Sequence, residues 1–156
     1  MKKKILGALL AIAICELVGS IGSIFTIPAI GGWYAGLAKP SLNPPNWIFG
    51  PVWTTLFALM GIAAFMVWNK RKNKAAKTAL MIFALQLVLN VLWSVLFFGA
   101  HRPAGAFLDI ILMWFAILWT IFAFWKIDRA AAWLLAPYLL WVSFAAYLNY
   151  AVMVMN

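Results

Sequence analysis

Few side chains in this sequence could carry out acid–base or nucleophilic chemistry. The chain has three acidic residues and one histidine among 156 residues. Glu16 and Asp109 lie inside long apolar runs, where an ionisable group is costly and is therefore a functional candidate. Two isolated carboxylates do not make a proton relay. We therefore interpret Asp109 as a structural residue that pairs with Arg102 or with a polar group on a neighbouring helix, in preference to a role in proton transfer.

The other reactive side chains do not form a catalytic or metal-binding set. His101 has no second histidine or carboxylate at the spacing of a metal or haem site, so we expect an exposed loop residue, with no metal and no cofactor. Cys15 lies in a series with Gly7, Ala11, Gly19 and Ser23, small residues at every fourth position that favour close helix packing. The sequence has no Ser-His-Asp, Walker, Rossmann or zinc pattern, which argues against conventional hydrolase or transferase chemistry.

Aromatic residues and prolines dominate the stretch WYAGLAKPSLNPPNWIFGPVW, from Trp33 to Trp53. Its four prolines, Pro44 among them, restrict the backbone and remove hydrogen-bond donors, so the segment can be ordered without regular structure. Two interpretations remain open, a rigid lid over a site or a turn-rich linker whose rings form an interfacial belt. Loops longer than about 12 residues are usually functional or disordered, and proline combined with aromatic rings argues against disorder.

Two further apolar runs carry polar and aromatic side chains at helical spacing on one face. The first set is Gln86, Asn90, Trp93 or Ser94, and Phe97, and the second is Tyr138, Trp141, Ala145 and Asn149. Uncharged amides commonly join helices inside membranes, so both faces could be packed core. Alternatively, the small Ala145 leaves a space beside the Trp141 indole, and the two faces form a slot for a flat hydrophobic molecule.

Membrane-spanning helices must position these residues, because the composition is that of a membrane protein. Hydrophobic residues make up 67% of the chain and charged residues 10%, against roughly 25% charged residues in soluble domains. A helix needs roughly 20 residues to cross the hydrocarbon core. We predict five such helices, at residues 5–27, 47–68, 78–100, 103–125 and 130–155, with an ordered loop at 28–46. The expected fold is all-α, an integral membrane bundle in which residues 1–156 form a single five-helix domain.

The basic residues predict the orientation of this bundle. The chain has twelve lysines and arginines but only three acidic residues. The basic residues lie between apolar runs and not on a nucleic-acid-binding surface, so no nucleic acid partner is expected. Only Lys39 and Arg102 fall on the side of the first loop, and the other ten fall on the side of the N-terminus. The positive-inside rule therefore predicts a cytoplasmic N-terminus and an external first loop. The run from Ile5 onward is expected to be a retained anchor and not a cleaved signal peptide.

Three motifs spread over the chain are shared with a known family. They are W-Y-x-x-L-x-K-P-S-x-x-P-P-x-W-x-x-G-P-V-W from Trp33, Q-L-x-L-N-x-x-W-S-x-x-F-F from Gln86, and P-Y-L-x-W-x-x-F-A-x-x-L-N from Pro137. Together they resemble the translocator protein family, also called the tryptophan-rich sensory protein or peripheral-type benzodiazepine receptor family. The resemblance implies a five-helix membrane protein, commonly a homodimer. It also implies binding of tetrapyrroles such as protoporphyrin IX, and of isoquinoline-carboxamide or benzodiazepine-type ligands, under the first loop.

The same resemblance implies which residues contact the ligand. The family's contacts match Tyr34, Pro44, Trp53, Asn90, Trp141 and Ala145, and Trp93 lies on the polar-aromatic face beside Asn90. In some bacterial relatives, the tryptophans that match Trp53 and Trp141 are linked to light-dependent breakdown of the bound porphyrin. These two residues are therefore the candidate catalytic residues if such degradation occurs.

Three functions follow from the resemblance. The first is a tetrapyrrole-binding membrane receptor or sensor, the second is a light-dependent porphyrin-degrading enzyme, and the third is a transporter of porphyrins or other amphipathic molecules. The inverted repeats frequent in transporters are not evident, so we rank binding first. The proposed cholesterol motif of animal members is incomplete, because no Lys or Arg follows Leu148 and Tyr150. The short chain and its KKK start suit a bacterial plasma membrane.

Overall fold

A computed structural model describes residues 2–156, and those residues form helices joined by short connections. The helices are α1 (Lys2–Ile30), α2 (Trp33–Gly36), α3 (Phe49–Trp68), α4 (Lys74–Ser94), α5 (Pro103–Trp125), α6 (Arg129–Trp133) and α7 (Ala136–Met155). A 3-10 turn, Asn46–Ile48, precedes α3, and a π-helical turn, Val95–Gly99, extends α4. Within residues 2–156 no strand is present. The predicted all-α fold class is confirmed.

Five helical segments are long and apolar enough to cross a membrane. They are Lys2–Ile30, Asn46–Trp68, Lys74–Gly99, Pro103–Trp125 and Arg129–Met155. The number of spanning helices agrees with the prediction, and the chain is an integral membrane protein. The fourth segment has the predicted bounds, whereas the other four begin one to four residues earlier than predicted. That residues 1–156 form one domain stays a prediction.

The first loop is shorter and more helical than the predicted range of 28–46. Helix α1 continues to Ile30, and α2 adds one further helical turn, so only residues 31–32 and 37–45 lack helical structure. Pro28 does not stop α1, because it lies two residues from the helix end and removes a hydrogen bond only from the last turn. The fifth span is interrupted between α6 and α7. Pro137, in the first turn of α7, cannot donate to a preceding carbonyl and therefore begins a new helix there.

Buried polar side chains join α4 to α7 in the core. Asn90 Nδ2 donates to the Tyr138 hydroxyl over 3.1 Å, and that hydroxyl donates to Gln86 Oε1 over 2.8 Å. Tyr138 and Gln86 are each 1% exposed. Hydrogen bonds of this kind replace the water contacts that these groups lose inside the bilayer. The amides of α4 therefore do contribute to helix packing, one of the two interpretations of this face.

The expected ion pair between Asp109 and Arg102 is absent. Asp109 lies on the buried face of α5, is 4% exposed, and its Oδ2 has no hydrogen-bond partner. Arg102 is exposed and precedes the first residue of α5, so about two helical turns separate it from Asp109. Over the described range 2–156, the ion pair present is that of Lys70 with Asp128.

Asp128 joins the start of α6 to the connection between α3 and α4. Its Oδ1 accepts hydrogen bonds from the backbone N–H groups of Ala130, over 3.0 Å, and Ala131, over 3.2 Å. Its Oδ2 accepts a hydrogen bond from Lys70 Nζ over 3.0 Å. The Lys70 contact, followed by the backbone donors, lowers the pKa of Asp128 below its ordinary value of 3.8. Asp128 therefore stabilises the fold above that value, and the contribution is lost as the pH falls through the lowered pKa.

We expect Asp128→Ala to reduce the free energy of unfolding at neutral pH by about 1 kcal/mol, the usual effect of losing an N-cap. Asp128→Asn keeps a capping oxygen and loses only the charge, so its loss should be smaller. Thermal unfolding in detergent at neutral pH and at about pH 3 measures both effects, because the stability that depends on this charge begins to be lost once the pH falls below the ordinary pKa of the carboxyl. The wild type should lose more stability on acidification than Asp128→Asn does, and equal losses would contradict the assignment.

The orientation of the bundle across the membrane stays a prediction. Antiparallel neighbours place the Lys70–Lys77 connection at the same end as Lys2, and Lys39 at the opposite end. A cysteine introduced at Lys74 should therefore resist a membrane-impermeant maleimide in intact cells, whereas one at Lys39 should react. The native Cys15 is 2% exposed, so the background reaction should be low. Labelling at position 74 and not at position 39 would show that the predicted orientation is wrong.

Candidate functional site

A cavity of ≈ 410 Å³ lies in the half of the bundle beneath the first loop. Four helices, α1, α3, α4 and α7, form its walls, and the end nearest the loop is closed by Ile30, Tyr34, Asn46, Trp47, Phe49 and Gly50. This volume falls within the roughly 300–1,000 Å³ typical of small-molecule sites. Most of the lining is aromatic or aliphatic. Helix α1 contributes four of the nine polar residues among it, namely Glu16, Ser20, Ser23 and Thr26.

Six of the seven predicted ligand-binding residues line this cavity. They are Tyr34, Trp53, Asn90, Trp93, Trp141 and Ala145. They come from three motifs that are far apart in sequence, and the tertiary structure brings them together. Pro44 does not line the cavity. It lies in the loop, where its carbonyl oxygen accepts a hydrogen bond from Asn43 Nδ2 over 3.1 Å. Ligand contact by each of the seven stays a prediction.

The two candidate catalytic tryptophans lie on different walls of the cavity, Trp53 on α3 and Trp141 on α7. The Trp53 ring is 6.2 Å from the ring of Tyr138, and the Trp141 ring is 5.9 Å from that of Phe49 in an edge-to-face pair. These contacts hold both indoles in place. The Trp141 Nε1–H is buried and has no acceptor. A buried donor without a partner is unfavourable, so this N–H destabilises the arrangement locally.

Trp93 is held by hydrogen bonds that reach the next helix. Its Nε1–H donates to Asn149 Oδ1 over 2.9 Å, and Asn149 Nδ2 donates to the carbonyl oxygen of Pro103 over 2.8 Å. The Trp93 ring also stacks on Phe97 with ring centroids 5.2 Å apart. Asn149 thus links α4, α5 and α7 at the cavity wall. A side chain held in this way loses little freedom when a ligand binds, which favours affinity.

The first loop is held by contacts between its own residues and by one contact with the residue that follows α7. Tyr34 is 7% exposed and donates from its hydroxyl to Asn43 Oδ1 over 2.9 Å. Burial raises the pKa of Tyr34, and the hydrogen bond to Asn43 partly offsets that effect. The Lys39 ammonium lies 4.7 Å from the centre of the same ring. Asn156 holds the loop from outside, since its side chain accepts from Ala38 N–H over 2.9 Å and donates to Ala38 C=O over 3.1 Å.

The chain matches known proteins along nearly its whole length. The model of the TspO/MBR family matches residues 11–155. The "Tryptophan-rich protein TspO" of Chlorobaculum tepidum is 44% identical over 157 residues, covering 100% of this chain and 99% of that protein. This chain belongs to the TspO/MBR family. The "Translocator protein" of Homo sapiens is 42% identical over 122 residues, 77% of this chain and 72% of that protein. The "Tryptophan-rich sensory protein" of Cereibacter sphaeroides is 40% identical over 124 residues, covering 80% of this chain and 77% of that protein.

The helix α1 wall of this TspO/MBR protein is the part of the site that the sequence analysis missed. It assigned the small residues of α1 to helix packing, and that assignment holds for Gly19, where a Cβ would lie 2.4 Å from the Phe57 ring. The same turns of α1 also present Glu16, Ser20 and Ser23 to the cavity. The one signal available was Glu16 itself, an ionisable residue inside an apolar run.

His101 lies outside this cavity and is exposed, as expected for a loop residue. Its ring stacks on Trp33 with centroids 4.3 Å apart and 9° between the planes. Within the part of the chain that the structure describes, no cluster of three His, Cys, Asp or Glu side chains could hold a metal ion.

Proposed function

We propose that this TspO/MBR protein is a membrane receptor or sensor that binds tetrapyrroles of the protoporphyrin IX class in the cavity under the first loop. The observation that carries the proposal is the lining itself, in which Trp53 and Trp141 present indoles from two walls. Indole surfaces favour planar aromatic ligands, and aromatic pairs contribute about 0.5–1.5 kcal/mol beyond their buried area.

The family relationship adds support. The relative from Cereibacter sphaeroides bears the name of a tryptophan-rich sensory protein, and the six predicted residues that line the pocket, including Trp53, Asn90 and Trp141, belong to the motifs that carry the family resemblance. Isoquinoline-carboxamide and benzodiazepine-type ligands, which are also flat and largely apolar, are proposed to occupy the same cavity. The homodimer implied by the resemblance stays a prediction, which native mass spectrometry in detergent can test.

Titration with protoporphyrin IX in detergent, with tryptophan fluorescence quenching as the readout, tests the proposal. Saturable quenching that an isoquinoline carboxamide reverses is expected if both ligands share one cavity. Quenching that is unsaturable, or that heat-denatured protein reproduces, would indicate partition into the micelle and would contradict the proposal. Steady illumination of the complex then separates a binder from an enzyme, because a binder leaves the absorption spectrum of the porphyrin unchanged.

A second candidate function is light-dependent porphyrin degradation, favoured by the presence of two oxidisable indoles in one cavity. The double variant Trp53→Phe, Trp141→Phe tests it, because phenylalanine keeps an aromatic face and is harder to oxidise than indole. Binding should weaken about tenfold or less, as expected for losing part of the stacking. Degradation, if the wild type shows it, should disappear. Normal degradation by the double variant would refute a photochemical role for these two tryptophans.

We also expect the first loop to contribute to affinity because it is already ordered. Replacing Pro44 and Pro45 with glycine should raise the entropy lost on binding by about 1–2 kcal/mol for the pair, or roughly tenfold in Kd. Ser41→Gly, which adds glycine to the same loop without removing a proline, is the matched control and should have a smaller effect. Titration with protoporphyrin IX gives the Kd of the wild type, the double proline variant and Ser41→Gly. An unchanged Kd in the double proline variant would contradict a role for the loop as a lid.

A further inference from the structure

Glu16 is the one carboxylate among the 26 residues that line the cavity. No lysine, arginine or histidine lies in that lining. Glu16 is half-buried on α1, and within residues 2–156 no basic side chain forms an ion pair with it. The Ser20 hydroxyl donates a hydrogen bond to the backbone carbonyl oxygen of Glu16 over 2.8 Å, and this bond does not involve the carboxylate. The carboxylate is therefore unneutralised at the cavity surface.

Helix direction places Glu16 at the deep end of the cavity, farthest from the first loop. Helices α1, α4 and α7 run towards the loop end, so the first lining residue on each marks the deep end. Those residues are Glu16, Asn90 and Trp141, and the last lining residue of the opposite-running α3, Phe57, lies with them. From Glu16 to Ile30, the last lining residue of α1, the helix rises roughly 21 Å.

The charges at the two ends of the cavity differ in sign. Lys39 is the basic residue beside the loop end, with its ammonium 4.7 Å from the ring of Tyr34, which lines the cavity. A ligand carboxylate at the loop end would lie near this ammonium and the membrane surface. At the deep end it would lie near Glu16, where the surrounding apolar walls strengthen the repulsion between like charges.

We propose that Glu16 sets the orientation of the bound tetrapyrrole and selects among tetrapyrroles by the position of their acid groups, an inference that rests on the proposed function. Protoporphyrin IX carries two propionates on adjacent pyrroles and can point both towards the loop. Coproporphyrin III carries a propionate on every pyrrole, so each orientation brings a carboxylate to the deep end. The cavity therefore takes porphyrins whose carboxylates occupy a single edge and disfavours those with carboxylates all round.

The test compares the Kd values of protoporphyrin IX and coproporphyrin III for the wild type and for Glu16→Gln. The wild type should prefer protoporphyrin IX, and Glu16→Gln should reduce that preference about tenfold, chiefly by tightening coproporphyrin binding. Glu16→Ala also removes the carboxylate and should shift the ratio in the same direction, so the test does not depend on one variant. Glu16→Asp keeps the charge and should keep most of the preference.

Asp109→Asn is the matched control, because Asp109 is also an intramembrane carboxyl but does not line the cavity. This substitution should leave the ratio of the two Kd values at the wild-type level. An unchanged ratio in both Glu16→Gln and Glu16→Ala, with protoporphyrin IX still bound, would overturn the selectivity role and leave the proposed function standing. Failure of the wild type to bind protoporphyrin IX would instead overturn the proposed function, and this inference with it.

Discussion

We expect Ala145→Leu to weaken protoporphyrin IX binding at least a hundredfold, about 2.7 kcal/mol or more. Ala145 is 9% exposed and lies one helical turn from Trp141 on the cavity face of α7. A leucine at this position places three further carbon atoms in the space beside the indole. Because the added atoms enter a cavity and not a packed interface, the fold should remain intact.

Ala151→Leu is the control for this variant. Ala151 is half-buried on the same helix and does not line the cavity, so the same increase in size should leave the Kd of protoporphyrin IX near that of the wild type. Fluorescence titration measures binding, and thermal unfolding in detergent verifies that both variants fold. Tight binding by a folded Ala145→Leu protein would show that the porphyrin occupies some other part of the bundle.

The largest effect on stability is expected at Gly61, where α3 packs directly against the backbone of α1. A Cβ at Gly61 would lie 2.5 Å from Ile12 Cα, 2.7 Å from Ile12 N and 2.9 Å from the carbonyl oxygen of Ala11. Backbone atoms cannot rotate away as a side chain can, so Gly61→Ala must push the two helices apart. We expect a loss of about 3 kcal/mol in the free energy of unfolding, at the upper end for overpacked cores.

The sign of this effect is diagnostic, because alanine in a helix is normally more stable than glycine by about 1 kcal/mol. Gly50→Ala provides the comparison within α3, since a Cβ there meets nothing within 4 Å, and it should be neutral or stabilising. Thermal unfolding of the two variants in the same detergent measures the difference between their Tm values, which we expect to be on the order of 10 °C. A Gly61→Ala protein as stable as the wild type would contradict the close approach of α1 and α3.

Part of the site was predictable because local spacing places side chains on one helical face. Asn90 and Trp93 were expected together on one helix, and Trp141 and Ala145 on another, and all four line the cavity. Tyr34 and Trp53, assigned through the family resemblance, also line it. Pro44 was assigned by the same resemblance and does not, because the backbone path of the loop depends on its contacts with Tyr34 and Asn156. No local pattern encodes those contacts.

The five spanning helices follow from the apolar runs alone, because a polypeptide in hydrocarbon must satisfy its backbone hydrogen bonds within each run. The role of each face of α1 depends instead on its neighbours in the folded bundle. Close contact through Gly61 and Gly19 joins α1 to α3, while the adjoining turn leaves Glu16 and Ser20 facing a cavity. Small residues permit either outcome, and the choice depends on the side chains of α3, α4 and α7, which are distant in sequence.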